Sequence, residues 1–167
     1  NSDLTPAHIS IKSFDWEKTS QDAGKFKLEG QINKNGQIFD AEMLLLDAPD
    51  AEIMGAAYLK LDDGMDITDY TLRLSPLRLG KTNANVVVQD DTFRLTGEKF
   101  NFTGIGKGRL HEDMTLADGT YEVDLGKLVI KGGEFFNIKG TVVRNENKWQ
   151  SAQINAKVGK EKKDFTL

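Results

Sequence analysis

Residues 84–95 read Ala-Asn-Val-Val-Val-Gln-Asp-Asp-Thr-Phe-Arg-Leu, and this stretch decides the fold class. Apolar residues occupy every second position in two runs, Ala84, Val86 and Val88, then Phe93 and Leu95. Alternation with a period of two is typical of half-buried β-strands, because successive side chains of a strand point to opposite faces. Asp90-Asp91 lies between the runs and predicts a hairpin turn, since aspartate tolerates positive φ angles.

The same alternation recurs along the whole chain. Further runs are Ile9 and Ile11; Phe26, Leu28 and Ile32; Leu59 and Leu61; Leu72 and Leu74; Leu77 and Leu79; Tyr121, Val123 and Leu125; Leu128 and Ile130; Ile154, Ala156 and Val158. Asn35-Gly36, Asp63-Gly64, Asp118-Gly119 and Glu146-Asn147 separate such runs and favour hairpins. The pattern predicts a mainly antiparallel, all-β architecture of short strands.

A weak internal repeat divides the chain. Residues 57–97 and 114–158 both follow the order strand, turn, strand ending near glycine, polar strand, turn, strand. Stacked β units bury their apolar face by adding neighbours, and such a repeat is typical of that arrangement. The chain is expected to form a single all-β domain, 1–167, either undivided or built from two stacked units of about 24–100 and 101–167.

Composition narrows the classes of partner. The formal net charge is −4 and the pI is near 5.3, so the chain lacks the positive field with which proteins bind nucleic acid. Cysteine is absent, which removes disulfides and thiolate chemistry. The chain starts at Asn1 and contains neither a signal-like leader nor an apolar run of membrane-spanning length, so we expect either a mature form or, in preference, a soluble portion cut from a longer protein.

No catalytic or metal-binding constellation stands out. The two histidines, His8 and His111, lie far apart and lack a companion at ligand spacing. Four aspartates, Asp62, Asp63, Asp66 and Asp69, invite a calcium interpretation, but the closing glutamate of an EF-hand is missing and an aspartate-rich turn explains them better. We expect no enzyme activity, no cofactor and no metal.

The apolar face of the predicted sheet leaves two alternatives open. It can pack against a second sheet as a closed β-sandwich or jelly-roll module, which would bind carbohydrate or protein through its loops. It can also remain partly uncovered as a hydrophobic groove.

Several motifs spread along the chain resemble those of a known family. The motifs are Ala48-Pro49-Asp50-Ala51-Glu52-Ile53-Met54-Gly55, Leu59-Lys60-Leu61-Asp62, Leu74-Ser75-Pro76-Leu77-Arg78-Leu79-Gly80-Lys81-Thr82, Leu95-Thr96-Gly97, Gly140-Thr141-Val142-Val143-Arg144, and Ile154-Asn155-Ala156-Lys157-Val158-Gly159 with Trp149. This pattern is similar to the β repeats of the AsmA-like superfamily, more narrowly its YhdP-type branch. The resemblance covers about three quarters of the chain.

The resemblance implies an elongated, curved β-groove or β-taco, with an apolar inner face, in a bacterial envelope protein anchored in the inner membrane. This chain would be a periplasmic segment that binds or conducts phospholipid, or another acyl-chain ligand, between the inner and outer membranes. Its other partners would be envelope proteins or adjacent repeats of the same chain. The family offers no invariant binding residues, so the groove candidates are the alternating apolar positions Phe26, Leu28, Ile32, Leu59, Leu61, Leu72, Leu74, Val86, Val88, Phe93, Leu95, Val123, Leu125 and Ile130.

Overall fold

The computed structural model describes residues 2–33, 35–64, 66–103, 117–159 and 161–167. Thirteen strands account for most of them: β1 Ser2–Asp3, β2 Ile9–Ile11, β3 Trp16–Lys18, β4 Lys25–Ile32, β5 Ile38–Ala48, β6 Ala51–Leu61, β7 Ile67–Leu79, β8 Thr82–Gln89, β9 Thr92–Asn101, β10 Gly119–Ile130, β11 Gly133–Asn145, β12 Lys148–Val158 and β13 Lys163–Thr166. A single 3-10 turn, Lys12–Phe14, separates β2 from β3.

Eleven of these strands form one sheet in the order β1-β4-β5-β6-β7-β8-β9-β10-β11-β12-β13. Every neighbouring pair is antiparallel except β9 and β10, which are parallel. The remaining two strands, β2 and β3, pair with each other as a small hairpin. The prediction of an elongated, mainly antiparallel, all-β fold is therefore confirmed.

The parallel pair divides the sheet into two antiparallel meanders, β4 to β9 and β10 to β13. Residues 102–118 connect them, close to the boundary predicted between two stacked units. The Asp118-Gly119 hairpin prediction is wrong, because β10, which begins at Gly119, pairs in parallel with β9 on one edge and with the following strand β11 on the other, so neither edge is left for a preceding hairpin strand. The Asp118 side chain instead accepts a hydrogen bond from the Asn147 N–H at 3.1 Å, in the next hairpin turn along the sheet.

The other predicted turns connect adjacent antiparallel strands. Asn35-Gly36 lies between β4 and β5, and Asp63-Gly64 between β6 and β7. Asp90-Asp91 and Glu146-Asn147 adopt positive φ angles at both residues, the conformation in which a two-residue hairpin matches the twist of its strands. These four hairpins are confirmed.

Bulges keep apolar residues on one face of long strands. The register between β7 and β8 shifts between Leu74 and Leu77, and that between β5 and β6 shifts between Ala41 and Leu44. At each shift, two successive apolar side chains on the same face are three positions apart in the sequence rather than two. The prediction of two short strands at Leu72–Leu74 and Leu77–Leu79 is wrong, since a single strand bulges at Pro76, which lacks a ladder N–H donor.

Candidate functional site: the apolar face of the sheet

One face of the sheet carries continuous rows of apolar side chains, and we call it the apolar face. Residues paired across adjacent strands share a face, so the strand register defines these rows. The central row runs through Leu44, Gly55, Leu74, Val86, Leu95, Val123, Gly140 and Ile154. The next runs through Ala57, Leu72, Val88, Phe93, Tyr121, Val142 and Ala152.

The N-terminal hairpin, residues 9–18, covers one end of this face. Ile9, Ile11 and Phe14 pack against the buried cluster, and Trp16 belongs to it. Trp16 is 4% exposed, and its indole N–H donates to the Pro49 carbonyl at 2.9 Å. The hairpin thus supplies a local second layer to the sheet.

A buried lysine fixes the base of the hairpin. Lys18 is fully buried, and its ammonium donates to the carbonyls of Thr5 at 3.2 Å, Ala7 at 3.0 Å and Thr19 at 3.0 Å. Three acceptors match the three N–H donors of an ammonium, which offsets the desolvation of the charge. A Cβ at Gly24 would lie 2.5 Å from Lys18 Cε, so glycine leaves the space that the lysine stem occupies.

Two aspartates hold the turns around Lys18. Hydrogen bonds from the Thr5 side chain and backbone lower the pKa of Asp3 below its ordinary value, and hydrogen bonds from the Thr19 side chain and backbone do the same for Asp22. In Asp22 the bonds measure 2.7 Å from Thr19 Oγ1 and 2.8 Å from Thr19 N. Both carboxylates are therefore ionised, and they order the backbone whose carbonyls receive Lys18.

The opposite end of the apolar face, which we call the open end, is less covered. Its residues are Ile32, Leu59, Tyr70, Tyr121 and Trp149. Ile32 is 67% exposed, Trp149 58% and Tyr70 41%. The Tyr121 ring lies 6.0 Å from the Phe93 ring and 6.2 Å from the Trp149 ring, measured between centroids. Aromatic and aliphatic side chains thus remain in contact with water at this end.

Tyr121 of β10 is partly buried at the open end. Burial raises the pKa of Tyr121, and the Tyr70 hydroxyl and Asp118 carboxylate raise it further, while Arg144 acts in the opposite direction.

The fourteen groove candidates divide into two groups. Seven belong to the buried cluster or pack against it: Leu74, Val86, Val88, Phe93, Leu95, Val123 and Leu125. The other seven, Phe26, Leu28, Ile32, Leu59, Leu61, Leu72 and Ile130, lie outside that cluster, and three of them, Leu28, Ile32 and Ile130, are exposed. The structure therefore brings the central strands together and leaves the flanks of the face thinly covered.

The opposite face of the sheet, which we call the polar face, carries mainly charged and amide side chains around β9 to β12, while Met43 and Met54 are exposed on it in β5 and β6. Ion pairs cross its strands between Arg94 and Glu122 at 2.6 Å and between Lys139 and Asp124 at 3.1 Å. An open depression of about 440 Å³ lies over these pairs and is lined mainly by charged and amide side chains. This depression is open to solvent and does not enclose a hydrophobic ligand.

The aspartates and the histidine that were considered as metal ligands or catalytic groups instead form local hydrogen bonds and a surface contact. Asp62 Oδ1 accepts hydrogen bonds from the N–H groups of Gly64 at 2.8 Å and Asp66 at 3.0 Å, as an aspartate-rich turn requires. His8 Nε2 lies 2.6 Å from Glu17 Oε1 on the surface, and His111 lies outside the described residues. Across the ranges that the structure describes, no group of histidine, aspartate and glutamate is arranged to hold a metal ion.

Sequence reasoning missed three residues that shape this face. Trp16 and Lys18 were not expected to form a cover, although an aromatic residue beside the alternating Ile9 and Ile11 was a usable signal. Arg144 was not expected on the apolar face, because the register that places it there depends on pairing with β10 and β12.

Comparison with protein-family models, with curated proteins and with solved structures finds no match to this chain. None of the described residues forms a helix long and apolar enough to cross a membrane.

Proposed function

We propose that the chain is a hydrophobic-groove segment that binds or conducts phospholipid, acting in the periplasm between the inner and outer membranes in support of envelope integrity. One observation carries the proposal. A single large sheet presents a continuous apolar face that its own hairpin covers at one end, while Ile32, Tyr70 and Trp149 remain exposed at the other.

Acyl chains fit such a surface on energetic grounds. Each methylene moved from water onto an apolar surface contributes about 0.8 kcal/mol, so a chain in the groove gains several kcal/mol without any specific contact. The headgroup stays in water at the open end. The mechanism is transfer by burial of surface, and it needs no catalytic residue.

The periplasmic location and the anchored parent protein rest on the resemblance to the AsmA-like superfamily. The alternative β-sandwich needs two facing sheets of comparable size, whereas the described strands form sheets of eleven and two. We therefore favour the groove over a carbohydrate- or protein-binding sandwich.

Mass spectrometry of organic extracts from the purified chain tests the proposal. We expect phospholipid to co-purify, and a fluorescent phospholipid added to delipidated chain to bind with saturation. A control protein of similar size and charge, purified in parallel, measures carry-over from the host membranes. A chain that is free of lipid and fails to bind the added probe would overturn the proposed function.

A further inference from the structure

Arg144 lies on the apolar face at the open end. On β11 it is paired with Gly119 of β10 and with Trp149 of β12. Alternation along β11 and β10 places it on the same face as Val142 and Tyr121, which pair with each other. Gly119 has no side chain, so the guanidinium meets no neighbour from β10 at that position.

The guanidinium has an unused hydrogen-bond donor. Its Nη2 donates to Asn147 Oδ1 at 3.1 Å, but Nη1 is buried and has no acceptor. On the polar face, Arg78 pairs with Glu52 and Arg94 pairs with Glu122, whereas among the described carboxylates none forms an ion pair with Arg144. A buried donor without an acceptor is uncommon in proteins and calls for an unseen partner.

The Trp149 ring covers the guanidinium. The Arg144 Cζ atom lies 5.9 Å from the Trp149 ring centroid, within the range of a cation–π contact. Trp149 is itself 58% exposed, so its side chain can rotate toward water without breaking a packed core. Rotation of this ring uncovers the free face of the guanidinium beside the exposed apolar residues.

We propose that Arg144 binds the phosphate of a glycerophospholipid whose acyl chains lie on the apolar face, an inference that rests on the proposed function. A guanidinium donates two parallel hydrogen bonds to phosphate oxygens, and its charge is permanent. Tyrosine and tryptophan side chains prefer the boundary between hydrocarbon and water, where a headgroup joins its chains. Arg144, Tyr121 and Trp149 supply these features at the boundary between the apolar face and solvent.

Binding of acyl-labelled lipids to the full chain tests this assignment. The probes are phosphatidylglycerol, diacylglycerol with the same acyl chains, and a fatty acid with the same label, each titrated against the native chain and the variant Arg144→Gln. The matched control is Arg73→Gln, an exposed arginine on β7 that faces away from the apolar face. Near-ultraviolet circular dichroism confirms that each variant is folded.

We expect Arg144→Gln to weaken phosphatidylglycerol binding about tenfold, the effect of losing one charge-assisted contact, and to leave diacylglycerol binding unchanged. Arg144→Lys keeps the charge without the paired donors, so its affinity for phosphatidylglycerol should lie between those of the native chain and Arg144→Gln. Arg73→Gln should bind like the native chain. The chain has two tryptophans, Trp16 and Trp149, so a Trp16→Phe background leaves Trp149 as the reporter, and its fluorescence should change with phosphatidylglycerol and not with diacylglycerol.

Four outcomes overturn the assignment in distinguishable ways. Equal losses for phosphatidylglycerol and diacylglycerol would give Arg144 a structural role. A loss confined to the fatty acid would identify a carboxylate site. Unchanged binding of all lipids by Arg144→Gln would refute the phosphate contact while leaving the proposed function in place, whereas no lipid binding by the native chain would refute both.

Discussion

The two ends of the apolar face contain similar residues but differ in what lies over them. At the covered end, Leu125 is 2% exposed, and Ile11, Phe14 and Trp16 of the N-terminal hairpin pack against its cluster. At the open end, Leu59 and Tyr70 continue the face without such a layer, and Tyr70 is 41% exposed. The difference teaches that a short element outside the sheet, rather than the strands themselves, decides which part of the face is core and which part is surface.

Truncation of one leucine at each end should separate these roles most strongly. We expect Leu125→Ala to lower the free energy of unfolding by about 3 kcal/mol, because it leaves a cavity in a packed region. Leu59→Ala should lower it by about 1 kcal/mol or less, since water already reaches that side chain. Urea denaturation of the two variants measures both values, and equal losses would show that the open end is as well packed as the covered end.

Removal of the buried ammonium should have a smaller effect, confined to the cover. Lys18→Met keeps the length of the side chain but leaves the carbonyls of Thr5, Ala7 and Thr19 without their donor. We expect the free energy of unfolding of the hairpin to fall by about 2 kcal/mol, since hydrogen bonds to charged groups contribute more than neutral ones. Trp16 fluorescence, followed in urea, should report release of the hairpin before the sheet unfolds.

Lys12→Met is the matched control for that variant, because Lys12 is exposed on the 3-10 turn of the same hairpin. It should leave both the stability and the order of unfolding unchanged. If Lys18→Met and Lys12→Met behave alike, the hairpin is held by its apolar contacts alone.

Much of the fold followed from the sequence, because the alternation of apolar residues is a local signal. Val86 and Val88, with Phe93 and Leu95, gave two strands and the turn at Asp90-Asp91 correctly. The Leu74–Leu77 step was harder, since a bulge interrupts the period of two and makes one strand resemble two. Local patterns describe strands well and their irregularities poorly.

Long-range pairing was beyond a local interpretation. Asp118-Gly119 has the composition of a hairpin turn, but β10 pairs in parallel with β9. Parallel neighbours need a long connection, here residues 102–118, so a two-residue turn does not join them. The same limit concealed Arg144, whose position on the apolar face follows from the pairing of β11 with β10 and β12. Residues that alternate along one strand were predictable as candidates, whereas the cover at one end and the cation at the other depend on contacts between distant segments.

Two neighbouring valines on β8 offer the most direct test of the central claim that the apolar face takes the acyl chain. Val88 is paired with Leu72 and Phe93 on the apolar face, while Val87 is paired with Arg73 and Arg94 on the polar face. Fluorescent phospholipid uptake should fall at least about tenfold in Val88→Asp, because a carboxylate there must be desolvated against the lipid, and should stay at the native level in Val87→Asp. Equal uptake by the two folded variants would contradict the account.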